Sequence, residues 1–247
     1  MSNAVARPVL RQPRGDATRQ AILDAAEQVF ADLGFAAARL EDVAQRVGIR
    51  RPSIVYYFPG KRQLYDQVEA DIFAAMHTHV VERLSRTERP LERLLATLDA
   101  WLDFFVQRPS AARIIQRLVA DPAPRGENPV EFSGTALADF EAIIAAGVAD
   151  GSFRAVPAMH ILNSVAAGAL FYVCNARQLG AGREYDPADP ATLAQFRATL
   201  HQQAVAAGAK TKRGCLGEGT KGTPWGLLES SGRSCRCRAP GYGCVRR

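Results

Sequence analysis

The chain has no apolar run long enough to span a membrane. Its longest, Val165 to Cys174, is interrupted by Gly168 and falls well short of the ~20 residues that a spanning helix needs. The leading segment MSNAVARPVLRQPRG has no apolar stretch of the kind a secretory signal carries, so a cytoplasmic protein without stable disulfides is expected. Histidine is scarce, and the four present (His77, His79, His160 and His201) form no recognised metal-ligand motif with Cys or Glu. No GxSxG, phosphate-cradling glycine loop or HExxH occurs, so no catalysis, metal or cofactor is expected. Alternation with period two is missing as well, which leaves an all-α reading of the body.

What is present is unevenly distributed. The 247 residues carry 47% apolar side chains, enough for one or two compact domains. The net charge of +6 divides into +4 over residues 1–62, −5 over 63–209 and +7 over 210–247. Four of the five cysteines (Cys215, Cys235, Cys237 and Cys244) and eight glycines follow residue 209, without apolar periodicity. Such a segment buries too little to offset its ordering entropy, and a disordered tail over 210–247 is expected. A four-thiolate metal site is the alternative there, but CxC followed by six residues is not a usual zinc-ribbon spacing.

Between Thr18 and Leu33, Ile22, Ala25, Ala26, Val29, Phe30 and Leu33 form one helical face, which Gly34 can end. Leu40, Val43, Ala44 and Val47 make a second, shorter face, with Glu41 and Asp42 in its first turn and Gly48 at its end. Pro52 suits the first turn of a third helix, whose Ile54, Tyr57 and Phe58 face inward. From Arg62 a longer helix follows. Further helices are expected over 91–106, 109–120, 134–149, 157–179 and about 190–207.

The second and third patterns, joined through Val47, Gly48 and Ile49, make a helix-turn-helix of about twenty residues whose second helix suits a DNA major groove. The runs TRQAILDAAEQVFADLGF and LEDVAQRVGIRRPSIVYYFPGKRQLY, spanning Thr18 to Tyr65, closely resemble the DNA-binding region of the TetR family of bacterial transcription regulators. The resemblance implies an amino-terminal three-helix DNA-binding domain at 16–62. A helical effector-binding and dimerisation domain would follow at 63–209, and a flexible basic arm with Arg7, Arg11 and Arg14 would precede at 1–15. That arm can reach a minor groove or be a solvated leader.

By the same resemblance, Arg51, Pro52 and Val55 face base edges, with Arg50 at the start of that surface, and Ser53, Tyr56 and Lys61 hold phosphates. Arg51 can bond guanine bidentately, and Val55 can meet a thymine methyl. Ala38, Arg39 and Leu40 stand where the family often has threonine or serine, so Arg39 would substitute charge for a hydroxyl. Val55 stands where an aromatic is common.

The family's architecture further implies a homodimer built on the last two helices, here with Val165, Ala166, Gly168, Ala169 and Val173 facing Leu193, Phe196 and Leu200. Core packing within one chain would give the same pattern. The implied function is repression at a palindromic operator, relieved by a small-molecule effector; activation is the alternative. Candidate effector contacts are His79, Trp101, Phe104, Phe105, Arg117, Asn163, Phe171, Tyr172 and Asn175, the polar or aromatic residues set into apolar helices. Deleting the chain after Ala209 should weaken salt-sensitive, nonspecific DNA affinity and leave sequence preference intact, as measured by competition binding at two salt concentrations.

Overall fold

In a computed structural model, residues 14–85, 87–120, 131–176 and 185–209 are described. The expected arm ahead of residue 14 and the expected tail with its four cysteines lie outside them. Helix α1 (Arg14–Ala37) includes the last two residues assigned to the arm, and Gly34, at φ 77° and ψ 166°, breaks its path where the apolar pattern ends. Ile22, Ala26 and Phe30 bury the inner face of α1.

Helices α2 (Leu40–Val47) and α3 (Arg51–Tyr57) follow, then α4 (Lys61–Leu84). The 24 residues of α4 reach about 36 Å at 1.5 Å per residue. Near its start it buries Leu64 and Val68, and farther along it buries Ile72, Met76 and Val80, so one helix belongs to both the head and the body. Helix α5 (Pro90–Gln107) runs through the middle of the body. It packs against α4 and α7 (Glu131–Ala149), and against α9 (Ala167–Cys174) and α10 (Pro190–Gly208). Leu94, Leu98, Ala100 and Leu102 are fully buried there.

Helix α6 (Pro109–Ala120) lies between α1 and α9. The helix expected over 157–179 is found as three pieces: α8 (Ala158–Ile161), a wider π-helical turn at Leu162–Ala166, and α9. Residues 177–179 of that expectation lie outside the described residues. Among the described residues the only strand-like pairing is one antiparallel bridge, Phe153 to Ala209. Beside it, Arg154 donates to the carbonyls of Ala206 and Ala207 at 2.7 and 2.6 Å, placing a cation at the negative end of α10. The Phe153 ring lies over Gly147, where a Cβ would sit 2.1 Å from the ring and could not be accommodated.

Val165, Ala166, Ala169 and Val173 are buried within the chain, as is Leu200. A Cβ on Gly168 would touch Leu200 and Phe196 at 3.7 and 3.8 Å. The small-residue row therefore receives the Leu200 and Phe196 side chains of α10 within one chain, which is the core alternative for that pattern.

Head and body meet at Glu27, which is only 4% exposed. Its carboxylate accepts from Arg108 Nε at 3.0 Å, from Arg108 Nη2, and from Ser110 Oγ at 2.5 Å. Arg108 Nη2 also donates to Asp71 at 2.8 Å, and Gln28 donates to Ser110 at 3.0 Å. Burial alone would lower the Arg108 pKa, but hydrogen bonds and charge from Glu27 and Asp71 raise it above the ordinary arginine value. Three elements converge here: α1, mid-α4 and the joint between α5 and α6. Removing one partner of such a pair strands the other charge. Arg108→Met should therefore cost about 3–5 kcal/mol of unfolding free energy in urea titration. Adding Glu27→Leu should recover part of that loss.

Candidate nucleic-acid interface

The first turn of α2 is closed by a reciprocal pair: the Arg39 N–H donates to the Asp42 carboxylate at 2.8 Å, and the Asp42 N–H donates to the Arg39 carbonyl at 3.1 Å. Glu41 and Asp42 also favour the positive end of the helix. At the other end Gly48 adopts the left-handed conformation, φ 78° and ψ 29°, where a Cβ would be strained. Its N–H and that of Ile49 both bond Ala44 O, at 3.0 Å each. This reversal delivers the chain to Arg50, which is extended and precedes α3, with Pro52 in the first turn.

Helix α3 divides cleanly. Ile54 is fully buried and Phe58 is 4% exposed, with the Arg19 guanidinium 5.1 Å from the Phe58 ring centroid. Tyr57 is half-buried and meets the Tyr56 ring edge to face at 5.1 Å. The outer side presents Arg50, Arg51, Pro52, Ser53, Val55 and Tyr56, with Tyr56 83% exposed. Arg51 Nε lies 3.1 Å from Glu41 Oε1. That ion pair brings the start of α2, and so exposed Arg39, beside the start of α3. Sequence alone gives Glu41 only a helix position; its hold on Arg51 arises from the fold. Seven of the eight expected DNA contacts thus lie exposed on this part of the molecule.

Lys61 sits differently. Its ammonium donates to the carbonyls of Phe35, Ala36 and Ala38 at 2.8, 3.2 and 3.0 Å, and it lies 4.6 Å from the Phe35 ring centroid. All three protons are used where α1 breaks open, because the carbonyls left by Gly34 need a donor. A phosphate at Lys61 would have to displace one of them.

The nine expected effector contacts do not converge. Trp101 stacks on Phe140 at 5.7 Å beside a cavity of about 20 Å³ that also touches Met76, Val80 and Ile143, too small for anything beyond a water. Phe104 and Phe105 are buried against each other at 6.1 Å, and half-buried His79 lies 6.3 Å from Phe104. Tyr172 stacks on Phe196 at 4.1 Å. Its hydroxyl is pushed up to about 12, first by burial and then by the nearby Tyr185 and acidic residues. Asn163 is exposed and Asn175 half-buried; Phe171 is 53% exposed. Arg117 reaches out of the body to the carbonyls of Ala31 and Asp32 on α1, at 3.4 and 3.3 Å. A larger cavity of about 640 Å³ lies elsewhere, against Val106, Arg113, Val173, Cys174 and Tyr185. None of the nine residues lines it. Among the described residues no cluster of three or more metal-ligating side chains occurs, and no helix is long and apolar enough to cross a membrane.

The chain matches two family models. Residues 22–68 match the bacterial regulatory proteins of the tetR family, and residues 90–203 match the tetracyclin repressor-like C-terminal domain. Together they cover well over half of the sequence. The HTH-type transcriptional repressor NicS of Pseudomonas putida is 29% identical over 194 residues, which is 76% of this chain and 90% of that protein. The HTH-type transcriptional activator FasR of Mycolicibacterium smegmatis is 32% identical over 105 residues, 42% of this chain and 48% of that protein. Among solved structures, a TetR family transcription regulator from Marinobacter aquaeolei superposes with a TM-score of 0.65 at 19% identity, over 80% of this chain and 98% of that one.

The geometry separates two roles for Lys61. As a cap on α1 it should be needed for stability: Lys61→Met is expected to lower the urea midpoint by the equivalent of about 2 kcal/mol. An unchanged midpoint would leave only a role toward phosphate.

Proposed function

The chain belongs to the TetR family of bacterial regulatory proteins and is a DNA-binding transcription regulator, and from that premise we propose a cytoplasmic homodimeric repressor that leaves its operator when a small molecule occupies the body. One observation carries the DNA half of this reading. A short helix anchored by Ile54 and Phe58 exposes Arg51, Ser53, Val55 and Tyr56 on its other side, a mixture suited to base edges and phosphates together. In this reading Arg51 bonds guanine, Val55 packs on a thymine methyl, and Pro52 lets the backbone approach the groove. Arg39, Arg50, Ser53 and Tyr56 hold the phosphates on either side. Lys61 contributes mainly by fixing the end of α1, and through it the angle of the head.

The dimer half rests on apolar surface left open on the last helices. Met159 on α8, Phe171 on α9 and Val205 on α10 are 41%, 53% and 36% exposed, a loss of burial that a two-fold helical interface would recover. Repression is preferred because the repressor relative is matched over nearly its whole length. Activation is the second reading, favoured by the likeness to an activator over the shorter span. The relatives are regulators rather than enzymes, and no reaction is assigned.

Two recognition helices related by a two-fold axis require an inverted repeat with half-sites about one helical turn apart. Selection from random-sequence duplexes should return such a repeat. Arg51→Ala should then lose about 1–3 kcal/mol of discrimination at one base pair in each half-site, with helicity and light-scattering mass unchanged. A single bound chain per duplex, or undiminished selectivity in the variant, would sink this assignment.

A further inference from the structure

The 640 Å³ cavity lies where the end of α5 and the start of α6 meet the last residues of α9 and the stretch Tyr185–Ala188. Its size suits a small organic ligand. Val106, Pro109, Val173 and Pro187 make much of the wall apolar, and among the described lining residues the one cation is Arg113.

Arg113 is incompletely satisfied where it stands. Its Nη1 lies 3.1 Å from Asp32 Oδ1 on α1, while its Nε is buried without a hydrogen-bond partner. The other Asp32 oxygen lies 3.7 Å from Arg46 Nη1 on α2. One carboxylate therefore links a cation of the body to a cation of the helix-turn-helix. Across the cavity the Cys174 thiol is pushed up to about 11 by burial, with the charge of Arg113 acting in the opposite direction. The Arg113 charge is thus felt at the cavity wall, and the thiol stays neutral and does not compete for it. Asp186, the acidic group among the described lining residues, accepts the Ala188 N–H at 2.9 Å. It would oppose a second negative charge on any ligand.

We propose that this cavity binds a small monocarboxylate with an apolar body, whose carboxylate takes Arg113 from Asp32 and so loosens α6 from the head. A carboxylate approaching the guanidinium side-on accepts from Nε and Nη2 together, as Glu27 does from Arg108; this satisfies the donor that the protein leaves unmet, and turning that edge toward the ligand draws Nη1 away from Asp32. The apolar wall takes the rest of the ligand. Freed of Arg113, Asp32 keeps Arg46 alone, and α6 is held to α1 by Ser110 at its start, by Arg117 at its far end and by packing, with no ion pair left between their described residues. The regulatory consequence rests on the reading of the chain as a ligand-released regulator; the binding site itself does not.

The test uses the full chain with hexanoate and benzoate as probes, and hexanamide and benzamide as neutral matches, in calorimetric titration. The acids should bind at least tenfold more tightly than the amides. Arg113→Gln should abolish that preference, and Asp32→Asn, which removes the competing carboxylate, should tighten acid binding several-fold. Equal binding of acid and amide, no binding of either acid, or unchanged acid binding in Arg113→Gln would overturn the site. If Arg113→Gln does not fold, the Asp32→Asn result decides, since unchanged or weaker acid binding contradicts the competition. On a selected inverted repeat, saturating acid should weaken wild-type binding about tenfold. Acid bound through Arg113 with operator affinity unchanged would overturn the relay. Failure to bind any inverted repeat would instead refute the regulator reading and leave the cavity's ligand class standing.

Discussion

A carboxylate with almost no access to water is tolerable only where its charge is met at close range, and Glu27 is such a group. Arg108 and Ser110 meet it, and Arg108 is held in turn by Asp71. These partners come from α1, α4 and the joint of α5 with α6, so none of those elements can shift without leaving a buried charge unpaired. Apolar contacts alone would allow small slides between the helices. The forked guanidinium does not, because its donors are fixed in direction. The orientation of the DNA-reading head on its body therefore depends on one polar cluster.

Around this fixed point lie looser ion pairs. Arg46 to Asp32, Arg113 to Asp32 and Arg51 to Glu41 all involve partly or largely exposed side chains, and pairs of that kind contribute about 0–1 kcal/mol. They can exchange partners at small cost. The contrast is useful to a regulator: a strong buried node keeps the head attached, while weak pairs at the same boundary can be traded for a phosphate, a base or a ligand. Lys61 and Arg117 belong to the same boundary, both bonding main-chain carbonyls where α1 ends.

Much of this was legible from spacing. The period of Ile22 to Leu33, the stop at Gly48 and the start at Pro52 mark the ends of the first three helices, because glycine and proline restrict the backbone locally. The exposure of Val55 and Tyr56 and the burial of Ile54 and Phe58 follow from the same period. Three features were not legible. Nothing local distinguishes a lysine that binds phosphate from one that caps a helix broken 27 residues earlier, as Lys61 does at Gly34. The aromatic run around Trp101 looks like a pocket in sequence, but its rings fill their own space against Phe140 and His79. The small residues of α9 serve packing within the chain, whereas Phe171 on that helix is left exposed.

The sequence by itself determined the helical periods, their stops, the helix-turn-helix and the location of the basic charge, since all of these depend on neighbours within a few positions along the chain. Tertiary structure alone decided where the packed faces fail to fill space, which placed the cavity at Arg113 and away from the aromatic residues of α5. It also decided which charges meet across long separations: Arg108 with Glu27, Arg113 with Asp32, and Arg51 with Glu41. The physical reason is that periodicity reports which side of a helix faces inward. Voids and ion pairs depend on how two or more such sides come together.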